Sequence, residues 1–389
     1  IVSGILEQRI KHHPQYADGI VTTILVLIAF FVTWLLPRLQ AGSGALVTVG
    51  IAVVLILANH LVWQQANLVV PLAPLLLFLL LLYLFHLLYG YAIETRGKRH
   101  LSTLFGHYVP PELVGEMDRN PGRITMETES REMTVLFGDV RNFTGIAETL
   151  EPKELSRLLN EILTPMTRVV HSHRGTIDKY LGDGIMAFWG APLRDAEHAR
   201  HAVEAAMQIV AAMRELGPHF KAQGWPEIQI GIGVSSGEMR VGNMGSEFRV
   251  AYTVIGDAVN LGARLEGLTK QYDVSIAVAD TTRGAISDYG FLELDRVRVK
   301  GREQPVAVFE PIGPMDELEP SQRAMLRQCA NALQSYRSAD WDAAEQAFFT
   351  LRQLYPDRRI FRVYLDRIAQ YRSKPPDTDW SGVFKVLTK

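Results

Sequence analysis

The chain has 389 residues, 48% of them hydrophobic and 21% charged, with 40 Lys and Arg against 42 Asp and Glu for a formal charge of -2. That length is expected to hold roughly two or three domains. The composition excludes a disordered chain, and the balanced charge lacks the basic excess of a nucleic-acid-binding domain. The single cysteine, Cys329, leaves no internal disulfide and no Cys-based zinc site. The chain begins at Ile1 rather than Met, as expected of a fragment or a processed product.

Three uncharged apolar stretches come first, at 20–36, 45–63 and 68–89. Each is about long enough to cross a bilayer as a helix. Three in succession do not match buried helices of a soluble core, and a cleaved signal peptide fits badly because two further spans follow the first. Pro71 and Pro74 fall near the start of the third stretch, where lost backbone hydrogen bonds cost least. Arg38 lies in the first connector, the second (64–67) is uncharged, and Arg96, Lys98, Arg99 and His100 follow the third stretch. The positive-inside rule therefore predicts that 37–44 and everything after about residue 92 face the cytoplasm, with 1–19 outside. His60 and His86 are read as helix-bonding or interfacial residues rather than as a proton path.

Residues 91–128 read as a connector punctuated by Pro110-Pro111 and Pro121-Gly122. Leu101, Leu104 and Phe105 share one helical face, suited to pairing with the same helix of a second chain. From 129 the pattern becomes α/β. MTVLF (133–137) reads as a buried strand, and Pro152 opens a helix with Leu155, Leu158, Leu159, Ile162, Leu163 and Met166 at helical spacing. TIDKY and IMAF flank a hairpin at Leu181-Gly182-Asp183-Gly184. A second helix is expected over 194–216, a strand at 228–234, and a helix N-capped by Asp257 running to about 269. Strands near 274–278, 291–299 and 305–310 complete a β-α-β-β-α-β order, that of a ferredoxin-like α+β sandwich. Gly237, Gly242 and Gly245 are expected in turns. The segment 314–389 is amphipathic and helical, and ANALQSYRSADWDAAEQAFFTLRQLYPD has the spacing of a tetratricopeptide unit. One such unit cannot bury its own face, so it is expected to pack on the preceding domain or on another chain.

Chemistry concentrates in three places. Asp139 follows a buried strand in FGDVRNFTG, and Asp183 sits at a hairpin tip in KYLGDGIMAFWG. Singly each is a turn aspartate; together, two carboxylates at strand ends can converge on hard divalent cations. Asn142, Phe143, Thr144 and Gly145 follow Asp139, where a strand, turn and helix start can offer N–H groups to phosphate oxygens. Asn260 and Arg264 are four residues apart on one helix face, either a surface pair or, beside a phosphate site, a sugar-orienting amide and a donor to developing negative charge. Lys300, in VKGRE, alone is a solvated turn lysine. His171 and His173 are read at a helix end, His198 and His201 on a solvated helix face, and Cys329 as a small buried residue.

As a set, FGDVRNFTG, GTIDKYLGDGIMAFWGAP, YTVIGDAVNLGARLE and VKGRE resemble the class III nucleotide cyclases over about residues 129–312. With the FGHYVPPELV connector, three spans and a C-terminal helical unit, the whole is similar to bacterial membrane adenylyl cyclases carrying a CHASE-type extracytoplasmic sensor, here largely missing. The resemblance implies a sensor remnant at 1–19, three transmembrane helices at 20–90, a connector at 91–128, a catalytic domain at 129–312 and a tetratricopeptide-like segment at 313–389.

It further implies that Asp139 and Asp183, helped by the Val140 carbonyl, bind two Mg²⁺ or Mn²⁺ ions. Asn260 would orient the ribose, Arg264 would stabilise charge at the α-phosphoryl, and Lys300 would hold the terminal phosphates. The site would form between two chains of a homodimer in the bacterial inner membrane, multi-pass and with its catalytic part cytoplasmic. An extracytoplasmic ligand or partner would act from outside. Lys179 and Thr253 match the purine-selecting pair, with threonine where aspartate is more usual. An ammonium donates to adenine N1 and a hydroxyl accepts from N6, whereas guanine reverses that pattern, so ATP is the expected substrate. A receptor or scaffold would be expected to lose Asp139, Asp183, Asn260 or Arg264, and all four are present. A diguanylate cyclase would carry a Gly-Gly-Asp/Glu-Glu-Phe run, which is missing. A transporter is disfavoured by the lack of charge inside the spans.

Overall fold

A computed structural model describes residues 16–39, 41–65, 69–105, 128–246, 248–298, 304–376 and 380–385. Two units divide the chain at Thr103/Leu104. In the first, α1 (Tyr16–Leu35) ends in a short 3₁₀ turn (Leu36–Arg38) and is followed by α2 (Ala41–Gln65) and α3 (Leu72–Phe105). All three are long and apolar enough to span a membrane, within Asp18–Leu35, Gly42–Gln65 and Leu72–Tyr89. Phe30 and Leu46 leave 77% of their surface uncovered, which is costly in water and free of cost in hydrocarbon. Among the helices, Val32, Leu36 and Leu79 are buried together, with Ile28, Ile51 and Tyr83 packed against them.

Two sequence expectations need adjusting. The connector 37–44 is shorter than read, because α2 already begins at Ala41. The run Ala-Gly-Ser-Gly carries no side chain large enough to block close entry, and a Cβ on Gly44 would meet Leu36 at 3.3 Å. The third stretch becomes helical only at Leu72, after Pro71. From there α3 runs 34 residues without interruption, about 50 Å at 1.5 Å per residue against a hydrocarbon core of about 30 Å. The seam expected of Leu101, Leu104 and Phe105, and the connector beyond Phe105, lie outside the described side chains.

The second unit is built on one mixed nine-stranded sheet in the order β2-β3-β1-β4-β6-β8-β7-β9, with β5 paired to β4 off this path. Its first half comprises β1 (Glu129–Val140), α4 (Phe143–Ala147), α5 (Pro152–Ser172), β2 (Thr176–Leu181), β3 (Gly184–Trp189), α6 (His198–Ala222) and β4 (Ile230–Ser246). The antiparallel run β2-β3-β1-β4 is the ferredoxin-like order expected from sequence. Then come β5 (Arg249–Ile255), α7 (Asp257–Tyr272), β6 (Ile276–Ala279), α8 (Asp280–Gly284), β7 (Tyr289–Arg298) and β8 (Val306–Pro314). Three helices follow, α9 (Pro320–Arg337), α10 (Trp341–Leu354) and α11 (Arg359–Ser373), before the short β9 (Phe384–Lys385).

Alternation along the strands sorts the two faces. Leu136, Ile177, Ile185, Ala187 and Val234 join a core with Leu158, Ile162 and Met166 of α5 and Ala202, Val203 and Ile209 of α6. The opposite face receives α7, and there the strand has almost no side chains. A Cβ on Gly233 would stand 2.2 Å from the Gly262 carbonyl oxygen and 2.3 Å from the Glu266 nitrogen, and one on Gly231 would stand 2.4 Å from Thr269 Oγ1. Gly262 in turn rests on Val135 and Phe137. Helix and strand therefore meet backbone to backbone.

The C-terminal helices close over one flank of α7, next to the sheet face. Leu261, Leu265, Leu268 and Tyr272 share one core with Met325, Cys329, Phe348, Phe361 and Tyr364. Cys329 is buried there, as expected, and burial pushes its thiol up to about 12. At the seam Asp295 accepts from the Tyr272 hydroxyl at 2.7 Å and from Arg367 at 2.6 Å, both charges buried.

Gly237, Gly242 and Gly245, expected in turns, lie inside the long β4. Gly256, not Asp257, is the N-cap of α7, which continues to Tyr272. A Gly233→Ala substitution drives a methyl group into helix backbone, where no flexible side chain can yield. It should destabilise the protein by about 3 kcal/mol or displace α7, read as a lowered thermal midpoint against Gly267→Ala, an open position on the same helix.

Candidate active site

Asp139 sits next to the end of β1, opposite Gly231 of β4. Gly138 before it points at Met166 of α5, so Asp139 projects to the other face, the one that carries α7. Asp183 stands in the two-residue turn between β2 and β3, where Gly182 takes the left-handed conformation such a turn requires. Its Oδ2 accepts from the Val140 N–H at 3.3 Å, which brings the hairpin tip to the end of β1. Gly184 completes the approach, since a Cβ there would fall 2.9 Å from Asp139 Oδ1.

The two carboxylates are close enough to disturb each other. Burial, then the negative charge of Asp183 and a hydrogen bond to it, raises Asp139 from 3.8 to about 6. Glu266, on the α7 face that meets the sheet, is raised from 4.5 to about 7 by burial and by the charge of Asp139. Arg141 bonds the Thr269 and Val274 carbonyls and pairs with Asp273 at 3.1 Å, anchoring the turn after Asp139 to the C-terminal end of α7. Neither Glu266 nor Arg141 stands out in the sequence, because both act through a contact more than 120 residues away along the chain.

Asn142 adopts the left-handed conformation ahead of the five-residue α4. The N–H groups of Phe143, Thr144 and Gly145 form the first turn of that helix, which has no earlier carbonyl of its own to bond. Asn260 and Arg264 share the outer side of α7. They lie two positions from Gly262 and Glu266, about 200° round the helix, and so face away from Asp139 of their own chain. Neither has a side-chain partner among the described residues. Lys300 lies outside the described residues.

Lys179 and Thr253 are brought together, through a third residue. β5 turns back over the sheet, Tyr252 reaching Phe188 of β3 at 6.2 Å between ring centroids. The Thr253 hydroxyl donates to Asp178 Oδ2 at 2.5 Å, and Lys179 Nζ lies 3.0 Å from Asp178 Oδ1.

The remaining polar clusters are engaged elsewhere. His198 bonds Thr134, His201 bonds Asp195 at 2.7 Å, and His173 Nδ1 meets the Val169 carbonyl. A cavity of about 780 Å³ lined by Arg141, Arg214, Lys221 and Trp225 includes neither Asp139 nor Asp183. Among the described residues no three His, Cys, Asp or Glu side chains form a ready cage. The carboxylate pair nonetheless fits a dication, whose charge would offset the burial and the repulsion that together raise Asp139.

Residues 125–310 match the family model "Adenylate and Guanylate cyclase catalytic domain". That segment is a class III cyclase catalytic domain. Adenylate cyclase 1 of Rhizobium meliloti is 33% identical over 213 residues, 54% of this chain and 32% of that one. The adenylyl cyclase CyaB from P. aeruginosa, known as a crystal structure, is 33% identical over 50% of this chain and 100% of that one, with a TM-score of 0.46. The guanylyl cyclase Cya2 is 34% identical over 50% and 97%, also at 0.46. The chain spans about a third of the length of the curated relatives it matches.

For the cyclase domain the raised pKa of Asp139 fixes a sign. Between about pH 4 and 6 the folded chain holds the Asp139 proton more tightly than the unfolded chain, so this site's contribution to stability falls as pH rises through that window. Without divalent ions, Asp139→Asn should raise the thermal midpoint by a few degrees at pH 8 and leave it nearly unchanged at pH 4. Added Mn²⁺ should raise the midpoint of the wild type and not that of the variant.

Proposed function

We propose that the chain is a membrane-anchored adenylate cyclase that converts ATP to 3′,5′-cyclic AMP and pyrophosphate at a site shared by two copies. The observation that carries this reading is the strained carboxylate pair Asp139 and Asp183, lying on the same sheet face as the base-reading pair Lys179 and Thr253. The adenylate cyclases among the relatives support it.

In the reaction the ribose 3′-oxygen bonds to the α-phosphorus, the bond from that phosphorus to the bridging oxygen breaks, and pyrophosphate leaves. The hydroxyl proton is released to water. Asp139, Asp183 and the Val140 carbonyl would hold two Mg²⁺ or Mn²⁺ ions, which supply Lewis-acid charge beside the reacting oxygens. Arg264 offers guanidinium donors to the charge that develops on the α-phosphoryl, and Asn260 orients the ribose. The N–H groups of Phe143 to Gly145 beside Asn142 face the phosphate oxygens, with Lys300 as a further cation.

A second copy is required because Asn260 and Arg264 turn away from the carboxylates of their own chain. Exposed apolar side chains support such pairing: Phe248 is 90% uncovered, and Val250, Ile255, Tyr180 and Leu181 are about half uncovered or more. The apolar helices α1–α3 anchor the chain in a bacterial inner membrane, with the basic cluster after the third span setting the cyclase domain on the cytoplasmic side. α3 continues past its apolar span Leu72–Tyr89 to Phe105 and offers a route for an extracytoplasmic ligand or partner to act.

Purified full-length protein in nanodiscs with Mn²⁺ should form cyclic AMP from ATP, and Asp139→Ala should abolish it. Arg264→Ala should also be inactive. Mixing the two variants should restore about a quarter of wild-type activity, since half the dimers are mixed and each holds one intact site. Failure to complement, with exchange of chains confirmed, would remove the shared site.

A further inference from the structure

Resting on the cyclase reading, we propose that Asp178 determines base preference by fixing the hydrogen-bond polarity of Thr253. Asp178 occupies an irregular position of β2, where the pairing with β3 shifts between Ile177 and Lys179. Its side chain is 1% exposed. A carboxylate so deeply buried on the ligand face of a sheet needs compensation, and it takes it from the two side chains that would read the base. Oδ2 accepts the Thr253 hydroxyl proton at 2.5 Å. Oδ1 has the Lys179 ammonium at 3.0 Å, out of line for a hydrogen bond, so that this contact is coulombic and Oδ1 accepts none.

The consequence follows from counting protons. A threonine hydroxyl is ambivalent, one donor and two lone pairs. Once its only proton is committed to Asp178, it can only accept from anything that approaches from outside. An ammonium has three protons and no lone pair, so Lys179 remains a donor wherever it points. The pair thus presents one obligate donor and one obligate acceptor. Adenine offers the complement at N1 and N6. Guanine in the same pose would set N1–H against the ammonium and O6 against the hydroxyl lone pair, leaving two unmade hydrogen bonds. Released from Asp178, the hydroxyl could rotate and donate to O6. Asp178 is therefore a positioning residue that need not touch the nucleotide.

The test compares kcat/KM for ATP and GTP in full-length wild type and Asp178→Ala, which removes the acceptor, alongside Kd for 3′-deoxy-ATP and 3′-deoxy-GTP, which lack the attacking hydroxyl. Asp178→Ala should shift both ratios about tenfold toward guanine, the scale of one mis-set hydrogen bond. In a Thr253→Val background the same substitution should shift them little. Equal losses for both nucleotides, or an equally large shift in the Thr253→Val background, would overturn the proposal. Should Asp178→Ala fail to fold, Thr253→Ser must keep the wild-type ratio and Thr253→Val must lose it; any other pattern overturns the proposal. If wild type cyclises neither nucleotide, the enzyme reading fails, while the binding ratios still decide for or against Asp178.

Discussion

The arrangement on the α7 face of the sheet depends on a contact made without side chains. The three glycines 231, 233 and 262 let α7 lie against β4 and β1 at backbone distance. Height above the sheet is then set by peptide groups, which cannot be compressed or repacked. That height puts Glu266 within the field of Asp139 and holds Asn260 and Arg264 on the outer side. It also presents Leu265, Leu268 and Tyr272 to the C-terminal helices. A helix resting on larger side chains would have more freedom, and three sets of residues would lose registration together.

The site is assembled at an electrostatic cost. Asp139 and Asp183 are forced together by a glycine-containing turn, by the Val140 N–H and by the missing Cβ of Gly184. Glu266 adds to the same negative field, and Arg141 offsets part of it from the other end of α7. The fold spends stability to present charge where a cation can claim it, a pattern common at functional sites. Further along β2, the buried Asp178 is partnered by threonine and lysine from within the chain.

Much of this was legible in the sequence wherever one residue type and one periodicity were enough. Leu158, Ile162 and Met166 announce α5 and do bury together, and the turn at Gly182-Asp183 lies where the hairpin was expected. Asp139 and Asp183 could be suspected from strand ends alone. The β4–β5 hairpin was not legible: β4 is glycine-rich and β5 has exposed apolar residues on both faces, so neither alternates as a half-buried strand should. Asp178 was hidden for another reason. Beside Lys179 it looks like a local ion pair, and nothing in the spacing points to Thr253, 75 residues on. Asp257 mimicked an N-cap because an acidic residue suits the first turn as well as the cap.

The seam between the sheet and the C-terminal helices bears on where this protein can be divided. The family match ends at residue 310, yet β8 runs on to Pro314, and β9, from the far end of the chain, adds a strand beside β7. A chain cut at the match boundary would expose that flank of α7 and take away the guanidinium partner of Asp295. Homology and cooperative folding thus draw different borders on this chain. α7 and the C-terminal helices share one buried core, so a change that loosens either loosens the other.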